Sequence, residues 1–345
     1  MSKEISIKII EKKKSINNLS SNCLKINLSG SDINYVIVNT LVRVGLSLVG
    51  SYAFNPEFIT IERNTSIFNN NKMKLRLSNI PIINKIYTEP IVNNTDELID
   101  KCLEYEILAN TSIFKMKKDN LQELEDINNK KKELLNNLHM HIEAKNRTNE
   151  IMNVTTNEKF TSFYLNDKKI PDIFPKEILL IKLKPGEDFI GTAIADYNIP
   201  MINNIYSSVS VLSYEEINDN EYNIYLESQR QIEEEDIIKK CCKIIINKLN
   251  HIKEIILEKL QNINNEDAEY EAQINIENEN HTLGNLLTRA IQDNKNISFC
   301  GYKIDHPFIN ELTIKYKTEG NKFSNILKDV IKNQIKLFEK IASKL

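Results

Sequence analysis

Two strongly apolar helical segments lie within residues 263–345, and so small a unit cannot easily bury both against its own sheet. One segment reads HTLGNLLTRAIQDN and the other NKFSNILKDVIKNQIKLFEKIASKL, each with apolar residues three and four positions apart. The stretches YEAQINIEN, ISFCGYKI and ELTIKYKT beside them are typical of strands. The unit is therefore predicted to need an apolar partner surface.

The start of the chain shows the same order of elements. EISIKII and CLKINLS alternate as strands do, and SDINYVIVNTLVRVGLSLVG (31–50) predicts a helix that is apolar almost all round and capped by Asp32. Further on, VSVLSYEEI and YNIYLESQ predict strands. Residues 233–261 then predict a long helix with an acidic start and one apolar stripe. This region can supply the missing partner surface.

The same sequence pattern occurs in both regions. NTLVR begins at Asn39 and NLLTR begins at Asn285, so each short apolar helix carries an asparagine and an arginine on one face. We predict an intramolecular pseudo-dimer, rather than a homodimer, built around a core of four helices. The residues predicted to form this core are Leu41, Val44, Leu48, Ile245, Leu249, Leu283, Leu287, Leu327, Ile331 and Phe338.

The middle of the chain has a different character. Residues 119–137 predict a charged helix, LHMHIEAKN alternates strictly as a strand does, and EILLIKLKPGEDF predicts a strand followed by a turn. The fold class is therefore predicted to be α+β, with two dimerisation units and an inserted, mostly β domain. The predicted boundaries are 1–82 with 201–262 for the first unit, 83–200 for the insertion and 263–345 for the second unit.

Charge and hydropathy restrict the partners. The formal net charge is -3, so no chain-wide basic field would draw the protein to nucleic acid, and DNA contact is expected only indirectly, through a complex. No run of about 18 apolar residues occurs, and the first residues lack the apolar region of a signal peptide. We therefore expect an intracellular protein with no membrane partner.

Catalytic and cofactor motifs are missing from the sequence. The 8 glycines form neither GxGxxG nor GxxxxGK[ST], and no HExxH or GxSxG occurs. The 5 cysteines include no CxxC pair, and Cys241 and Cys242 lie in an apolar helical pattern that favours burial over redox or metal chemistry. We predict that the chain is not an enzyme and holds no cofactor or metal.

One metal-site alternative lies on the strand LHMHIEAKN. His139, His141 and Glu143 share a face of that strand, and a cluster of two histidines and a glutamate is a metal-ligand set. The interpretation that we favour is a solvated strand face.

The second unit resembles a known family. HTLGNLL (281–287), followed by FCGYKIDHP (299–307), is similar to the signature of archaeal RNA polymerase subunit L and of its eukaryotic counterpart, the eleventh subunit of RNA polymerase II. The residues shared with that signature are His281, Thr282, Gly284, Asn285, Leu287, Phe299, Gly301, Tyr302, His306 and Pro307.

Residues 1–260 resemble the partner of that subunit, archaeal D or the third subunit of RNA polymerase II. The likeness rests on VNTLVRV (38–44), ERNTSI (62–67), RLSNIPI (76–82) and LLIKLKPGE (179–187). Both subunits are similar to the amino-terminal domain of the bacterial polymerase alpha subunit. A chain that carries both halves resembles the fused alpha-like subunit of large cytoplasmic DNA viruses.

This resemblance implies a non-catalytic assembly subunit of a multisubunit DNA-dependent RNA polymerase, whose large subunits hold the nucleotidyltransferase activity. The first unit would dock the second-largest subunit and the second unit the largest, with small polymerase subunits as further partners. In related subunits the arginine-bearing helix face points toward the large subunits, where a guanidinium can bind carboxylates or backbone oxygens. The docking candidates are Asn39, Arg43, Arg76, Asn285 and Arg289.

Further expectations come with the resemblance. D-like subunits often hold zinc or an iron-sulfur cluster in the inserted domain, but Cys102 is the only cysteine of this insertion, so no metal is expected. Of the family's two adjacent arginines only Arg43 is present, with Val42 before it. The protein is expected in a viral factory of the host cytoplasm and in the virion if viral, or in the nucleus if cellular. The alternative function is a free-standing alpha-like interaction module that serves another complex.

Overall fold

A computed structural model of the chain describes residues 5–14, 22–82, 138–165, 167–171, 174, 177–229, 231–262, 270–305, 311–320 and 322–345. The helix predicted at 119–137, and the residues Cys102, His306 and Pro307, lie outside this part. The strands are β1 (Ser6–Lys13), β2 (Asn22–Ser29), β3 (Ser51–Asn64), β4 (Leu138–Lys145), β5 (Met152–Thr155), β6 (Thr161–Leu165), β7 (Lys168–Ile170), β8 (Leu179–Leu183), β9 (Asp188–Asn198), β10 (Val209–Asn218), β11 (Glu221–Ser228), β12 (Glu271–Glu277), β13 (Ile297–Ile304) and β14 (Glu311–Thr318). The α-helices are α1 (Tyr35–Ser47), α2 (Asn70–Ser78), α3 (Glu234–Asn262), α4 (His281–Gln292) and α5 (Phe323–Ser343), and a short 3-10 helix spans Asn204–Tyr206.

Two antiparallel sheets share one strand order. In the first sheet β2, β11 and β10 lie side by side, and β1 adds an outer strand next to β2. In the second sheet β12, β14 and β13 lie side by side in the corresponding order. A short helix follows the first of these strands in each unit, α1 after β2 and α4 after β12, and a long helix ends each unit, α3 and α5.

Four helices pack around a common centre. α1 contacts α3 and α4, and α5 contacts α3 and α4 as well. Their apolar faces and the inner faces of the sheets belong to one buried cluster, so apolar surface from both ends of the chain is removed from water together. The stripe predicted on α3 is buried throughout: Ile237, Cys241, Ile244, Ile245, Leu249, Ile252, Ile256 and Leu260. None of the described helices is both long and apolar enough to cross a membrane.

The N-cap of α1 differs from the prediction. Asn34, and not Asp32, caps the helix: its Oδ1 accepts hydrogen bonds from the backbone N–H groups of Val36 (3.0 Å) and Ile37 (3.1 Å). A capping side chain has to stand directly before the first helical residue, which is Tyr35. Asp32 lies too early in the chain to reach those N–H groups.

A five-stranded sheet is formed mainly by strands from the middle of the chain. Its strand order is β3, β9, β4, β6, β7, and a separate two-stranded sheet pairs β5 with β8. The predicted boundaries assign β3 to the first dimerisation unit and β9 to the insertion, and in the structure these two strands pair with each other from Ser51 to Asn64. The register shifts around Pro56, which lacks the N–H group that a regular ladder needs. The strand predicted at LHMHIEAKN is β4, and its side chains alternate between buried and more exposed as expected.

Candidate functional site

The short helices α1 and α4 carry the repeated asparagine and arginine. Asn39 and Asn285 are partly buried, whereas Arg43 and Arg289 are exposed. A spacing of four residues places each asparagine beside its arginine on one side of the helix. Because α1 contacts α4, the two Asn–Arg pairs lie on neighbouring helices. We call these four residues the Asn–Arg set.

Each of these helices approaches its sheet closely at a glycine. A β-carbon at Gly45 would lie 2.5 Å from Leu212 Cδ2, and one at Gly284 would lie 2.7 Å from Leu312 Cδ1 and 2.8 Å from Tyr302 Cδ2. Contacts this short are not tolerated between real side chains, so both positions suit a residue without a side chain. The glycines thereby help to set the position of the helices that carry the Asn–Arg set.

Arg289 lies at the edge of an open groove between the two units. Its Nε is 3.6 Å from Asp293 Oδ1 one turn further on, and the two side chains are 54% and 59% exposed, so this pair adds little stability. The groove has a volume of about 780 Å³ and is also lined by Asn34, Tyr35 and Lys336. The guanidinium of Arg289 is therefore accessible to a partner.

Arg76 has a different environment from the other arginine candidates. Its Nε donates a hydrogen bond to the backbone oxygen of Leu180 (3.1 Å), and its Nη2 donates to that of Leu179 (3.4 Å). The guanidinium also lies 5.8 Å from the ring centroid of Phe68. These contacts tie α2 to β8, an intrachain role that the sequence did not predict.

All ten predicted core residues lie in the buried apolar cluster. They come from α1 and its C-cap, from α3, from α4 and from α5, so the cluster includes side chains of both units. Their side chains are between 0% and 4% exposed: Leu41, Val44, Leu48, Ile245, Leu249, Leu283, Leu287, Leu327, Ile331 and Phe338.

One buried ion pair was not predicted. Lys248 Nζ lies 3.2 Å from Glu279 Oε2, and the two side chains are 5% and 8% exposed. A sequence signal for it exists, because Lys248 follows Cys241 by seven residues and precedes Ile252 by four, which places it on the apolar stripe of α3. A lysine at such a position is almost never fully buried unless it is paired.

The histidines of β4 interact with protein neighbours. The ring of His139 stacks on that of Tyr164 with centroids 5.3 Å apart, and His141 Nδ1 lies 3.2 Å from Thr192 Oγ1. Glu143 pairs with Lys145 at 2.6 Å, and this hydrogen bond lowers the pKa of the Glu143 carboxyl group. The three side chains thus have local partners, and we assign them no metal.

Three glutamates lie at the start of α3, two in its first turn and Glu233 directly before it. Carboxylate oxygens of Glu233, Glu234 and Glu235 lie within 4.8 Å of one another, a grouping that could hold a cation. Glu235 pairs with Lys12, however, and Glu233 lies 3.7 Å from Lys14. Acidic side chains also stabilise the positive N-terminal end of a helix. We therefore assign these residues to helix stabilisation and to the contact between β1 and α3.

The adjacent cysteines are buried in the helical core. Burial raises the pKa of the Cys241 thiol to about 12 and that of the Cys242 thiol well above its ordinary value of 9.0. Because the thiolate is the reactive form, these groups stay protonated and pack as apolar side chains. The burial predicted for Cys241 and Cys242 is confirmed.

Comparisons with known proteins find similarity to RNA polymerase subunits. Residues 271–344, from β12 to the end of α5, match the family described as the RNA polymerase Rpb3/Rpb11 dimerisation domain. A protein named as DNA directed RNA polymerase subunit R470, from Acanthamoeba polyphaga mimivirus, is 28% identical over 333 residues, which cover 92% of this chain and 89% of that protein.

Shorter matches occur among cellular polymerase subunits. The RPAC2 subunit of RNA polymerases I and III from Saccharomyces cerevisiae is 47% identical over 49 residues, which cover 14% of this chain and 34% of that subunit. The subunit Rpo11 of Metallosphaera sedula is 40% identical over 48 residues, which cover 14% of this chain and 53% of that subunit. The matches together show that the chain is similar to subunits of DNA-directed RNA polymerases, over nearly its whole length for the mimivirus subunit and over short segments for the cellular subunits.

Proposed function

We propose that this chain is the assembly platform of a multisubunit DNA-directed RNA polymerase and joins its two large catalytic subunits. The matches to a mimivirus polymerase subunit and to the Rpb3/Rpb11 dimerisation domain support a non-catalytic assembly subunit. The structural observation that carries the proposal is the repetition of one unit, with the strand order β2, β11, β10 repeated as β12, β14, β13. Such a chain positions the large subunits in the complex, and the large subunits carry out the catalysis.

The two units form an intramolecular pseudo-dimer in this proposal. Contacts of α1 with α4, and of α3 with α5, support it because each contact joins one unit to the other. The single buried cluster that spans both units supports it as well. Fusion replaces a bimolecular association by an intramolecular one, at an effective concentration that can reach the millimolar range. The platform therefore forms without a separate partner chain.

Sheet membership guides the domain boundaries that we propose. The first unit comprises residues 5–50 and 207–262, because β3 and β9 pair with each other in the sheet of the insertion. Ser51 Oγ donates a hydrogen bond to the backbone oxygen of Tyr206 at 2.7 Å, so the two connections to the insertion lie together. The second unit comprises residues 263–345.

The first unit docks the second-largest subunit, and the second unit docks the largest. Arg43 and Arg289, both exposed, supply one guanidinium to each contact. A guanidinium donates in a fixed fork that fits carboxylates and backbone oxygens, and this geometry suits a specific protein interface. Small polymerase subunits are further partners, and DNA is contacted only through the complex. The protein acts inside the cell, where its polymerase transcribes.

Purification from the natural setting tests this function. The full chain is tagged and purified at stringent salt, and the retained proteins are identified by mass spectrometry, with the Arg43→Ala/Arg289→Ala variant processed in parallel. We expect two very large polypeptides and transcription activity to accompany the wild-type chain and to decrease for the variant. A wild-type chain that purifies alone even at low salt would contradict the proposal and would favour a free-standing interaction module.

A further inference from the structure

We propose that the buried ion pair Lys248–Glu279 specifies the pairing of the two units, so that a first unit packs against a second unit and not against a copy of itself. The inference rests on the proposed function, because it concerns the pseudo-dimer. Its basis is an ion pair with an N–O distance of 3.2 Å, whose side chains are 5% and 8% exposed.

The pair joins one unit to the other. Lys248 lies on α3 beside Leu249, a residue of the apolar stripe that is 0% exposed. Glu279 lies in the turn between β12 and α4, directly before the N-cap residue Asn280. Asn278, which precedes Glu279, has a φ of 61°, in the left-handed region that asparagine tolerates better than most residues. Such a turn reverses the chain between strand and helix at the point where Glu279 meets α3.

A buried ion pair is weak evidence for stability. Two ions lose their hydration when they are buried, and apolar replacements of similar volume often leave a protein equally stable or more stable. The reliable effect of such a pair is a penalty on every arrangement in which one member lacks the other. Lys248 and Glu279 therefore affect which unit packs against which more strongly than they affect the stability of the fold.

Packing of like units would separate the two charges. If two first units packed through α1 and α3, each would bury Lys248 without Glu279. If two second units packed through α4 and α5, each would bury Glu279 without Lys248. The two units present similar apolar helices, so apolar burial alone discriminates weakly between like and unlike partners. The ion pair makes the packing of unlike units more favourable than the packing of like units.

A second lysine of α3 provides a matched control. Lys259 Nζ donates a hydrogen bond to the backbone oxygen of Asn275 at 2.5 Å, so this side chain also joins α3 to the second unit. The contact is exposed, so a lysine that loses it can hydrate its ammonium group at little cost. Removal of Lys259 should therefore leave the choice of partner unchanged.

The first experiment measures pairing in the full chain. Wild type, Lys248→Met/Glu279→Leu and the control Lys259→Met are each prepared as isotopically light and heavy copies. The copies are mixed, unfolded, refolded at several concentrations and examined by light scattering and by cross-linking with mass spectrometry. We expect wild type and control to be monomeric. For K248M/E279L we expect an unchanged or higher melting temperature, a roughly 100-fold rise in the association constant for like units, and cross-links between α3 helices of light and heavy copies.

A second experiment does not depend on the folding of K248M/E279L. Lys248→Glu and Glu279→Lys each place like charges together in the core, so each variant alone is expected to be poorly soluble. When the two chains are co-expressed, the first unit of either variant is complementary in charge to the second unit of the other. We expect a soluble one-to-one dimer with exchanged units. Co-expressed chains that fail to combine, or a K248M/E279L chain that is as monomeric as wild type, would overturn the proposal.

Different results would refute the proposed polymerase function and the ion-pair inference. Pairing is measured on the isolated chain, whereas the proposed function is measured by retention of large polymerase subunits. A wild-type chain that retains these subunits while K248M/E279L stays monomeric refutes only the ion-pair inference. A chain that changes its pairing as expected but retains no large subunit refutes only the polymerase function.

Discussion

Gly284 on α4 lies so close to Leu312 on β14 that a β-carbon on the glycine would be 2.7 Å from Leu312 Cδ1. The same β-carbon would be 2.8 Å from Cδ2 of Tyr302 on β13. Two side chains would therefore have to move at once to admit even a methyl group. In the first unit α1 approaches β10 in a similar way, between Gly45 and Leu212.

Gly284→Ala tests this close approach. We expect a net loss of about 1–2 kcal/mol in the free energy of unfolding, because overpacking costs about 1–3 kcal/mol and the better helix propensity of alanine offsets up to about 1 kcal/mol. Urea unfolding measures the difference, with Asn325→Ala, a change of an exposed residue of α5, as the control. A Gly284→Ala chain as stable as wild type would show that Leu312 and Tyr302 move aside freely.

The helical core can be tested at Leu287, which is 0% exposed. Leu287→Ala removes buried apolar atoms and leaves a cavity, so we expect a loss of about 2–5 kcal/mol in the free energy of unfolding. Leu46→Ala on α1 is the matched control, because Leu46 is 39% exposed and its loss should change the stability by about 0.5 kcal/mol or less. Equal effects of the two changes would contradict the packing of α4 into a core shared by both units.

Side-chain periodicity was sufficient to predict most elements and the faces that they bury. LHMHIEAKN alternates, and in β4 the side chains of Leu138, Met140 and Ile142 are all 0% exposed. The stripe of α3 follows a period of three and four residues and is buried along its length. A helix that packs against a layer buries residues of every turn, and a strand buries every second residue. Each therefore has a pattern of apolar residues that is visible in one local stretch of sequence.

Long-range partners could not be predicted in the same way. Burial does not alternate regularly along β3, and nothing within Ser51–Asn64 indicates that its neighbour is β9. The hydrogen bonds from Arg76 to backbone oxygens of β8 depend on a contact between segments far apart in the chain. At the start of α1, Asp32 and Asn34 are both capping residue types, and the choice depends on where the helix begins. These features depend on tertiary geometry rather than on local pattern.

Asp188 is the centre of a charge network at the start of β9. Its side chain is 1% exposed, with Arg147 Nη1 2.6 Å from Oδ1 and Arg63 Nη2 3.0 Å from Oδ2. The hydrogen bond from Arg147 lowers the pKa of the Asp188 carboxyl group below its ordinary value of 3.8. The folded state therefore favours the ionised carboxylate more than the unfolded state does.

This lowered pKa predicts a loss of stability in acid. The unfolded chain binds a proton at Asp188 near pH 3.8, whereas the folded chain resists it, so the contribution of Asp188 is complete above that pH and is lost as the pH falls through the folded-state pKa. Asp188→Asn should be less stable than wild type at neutral pH and should lose less stability below pH 3.8. Urea unfolding across this pH range measures the effect, with exposed Glu158→Gln as the control. A stability difference between Asp188→Asn and wild type that stays constant with pH would contradict the assignment.

Arg43 and Arg289 should affect assembly without affecting the fold. Both side chains are exposed, and the pair of Arg289 with Asp293 is itself more than half exposed, so its loss should cost at most about 1 kcal/mol. A guanidinium buried in a subunit interface is worth about 2 kcal/mol or more, which corresponds to roughly 30-fold weaker retention when it is removed. We expect Arg43→Ala to weaken retention of the second-largest subunit and Arg289→Ala that of the largest, with unchanged melting temperatures.

Lys332→Ala, an exposed change on α5, is the control. Quantitative mass spectrometry of the purified complexes separates the outcomes: loss of both subunits together with a lower melting temperature would indicate unfolding, and full retention of both would remove these arginines from the docking interface.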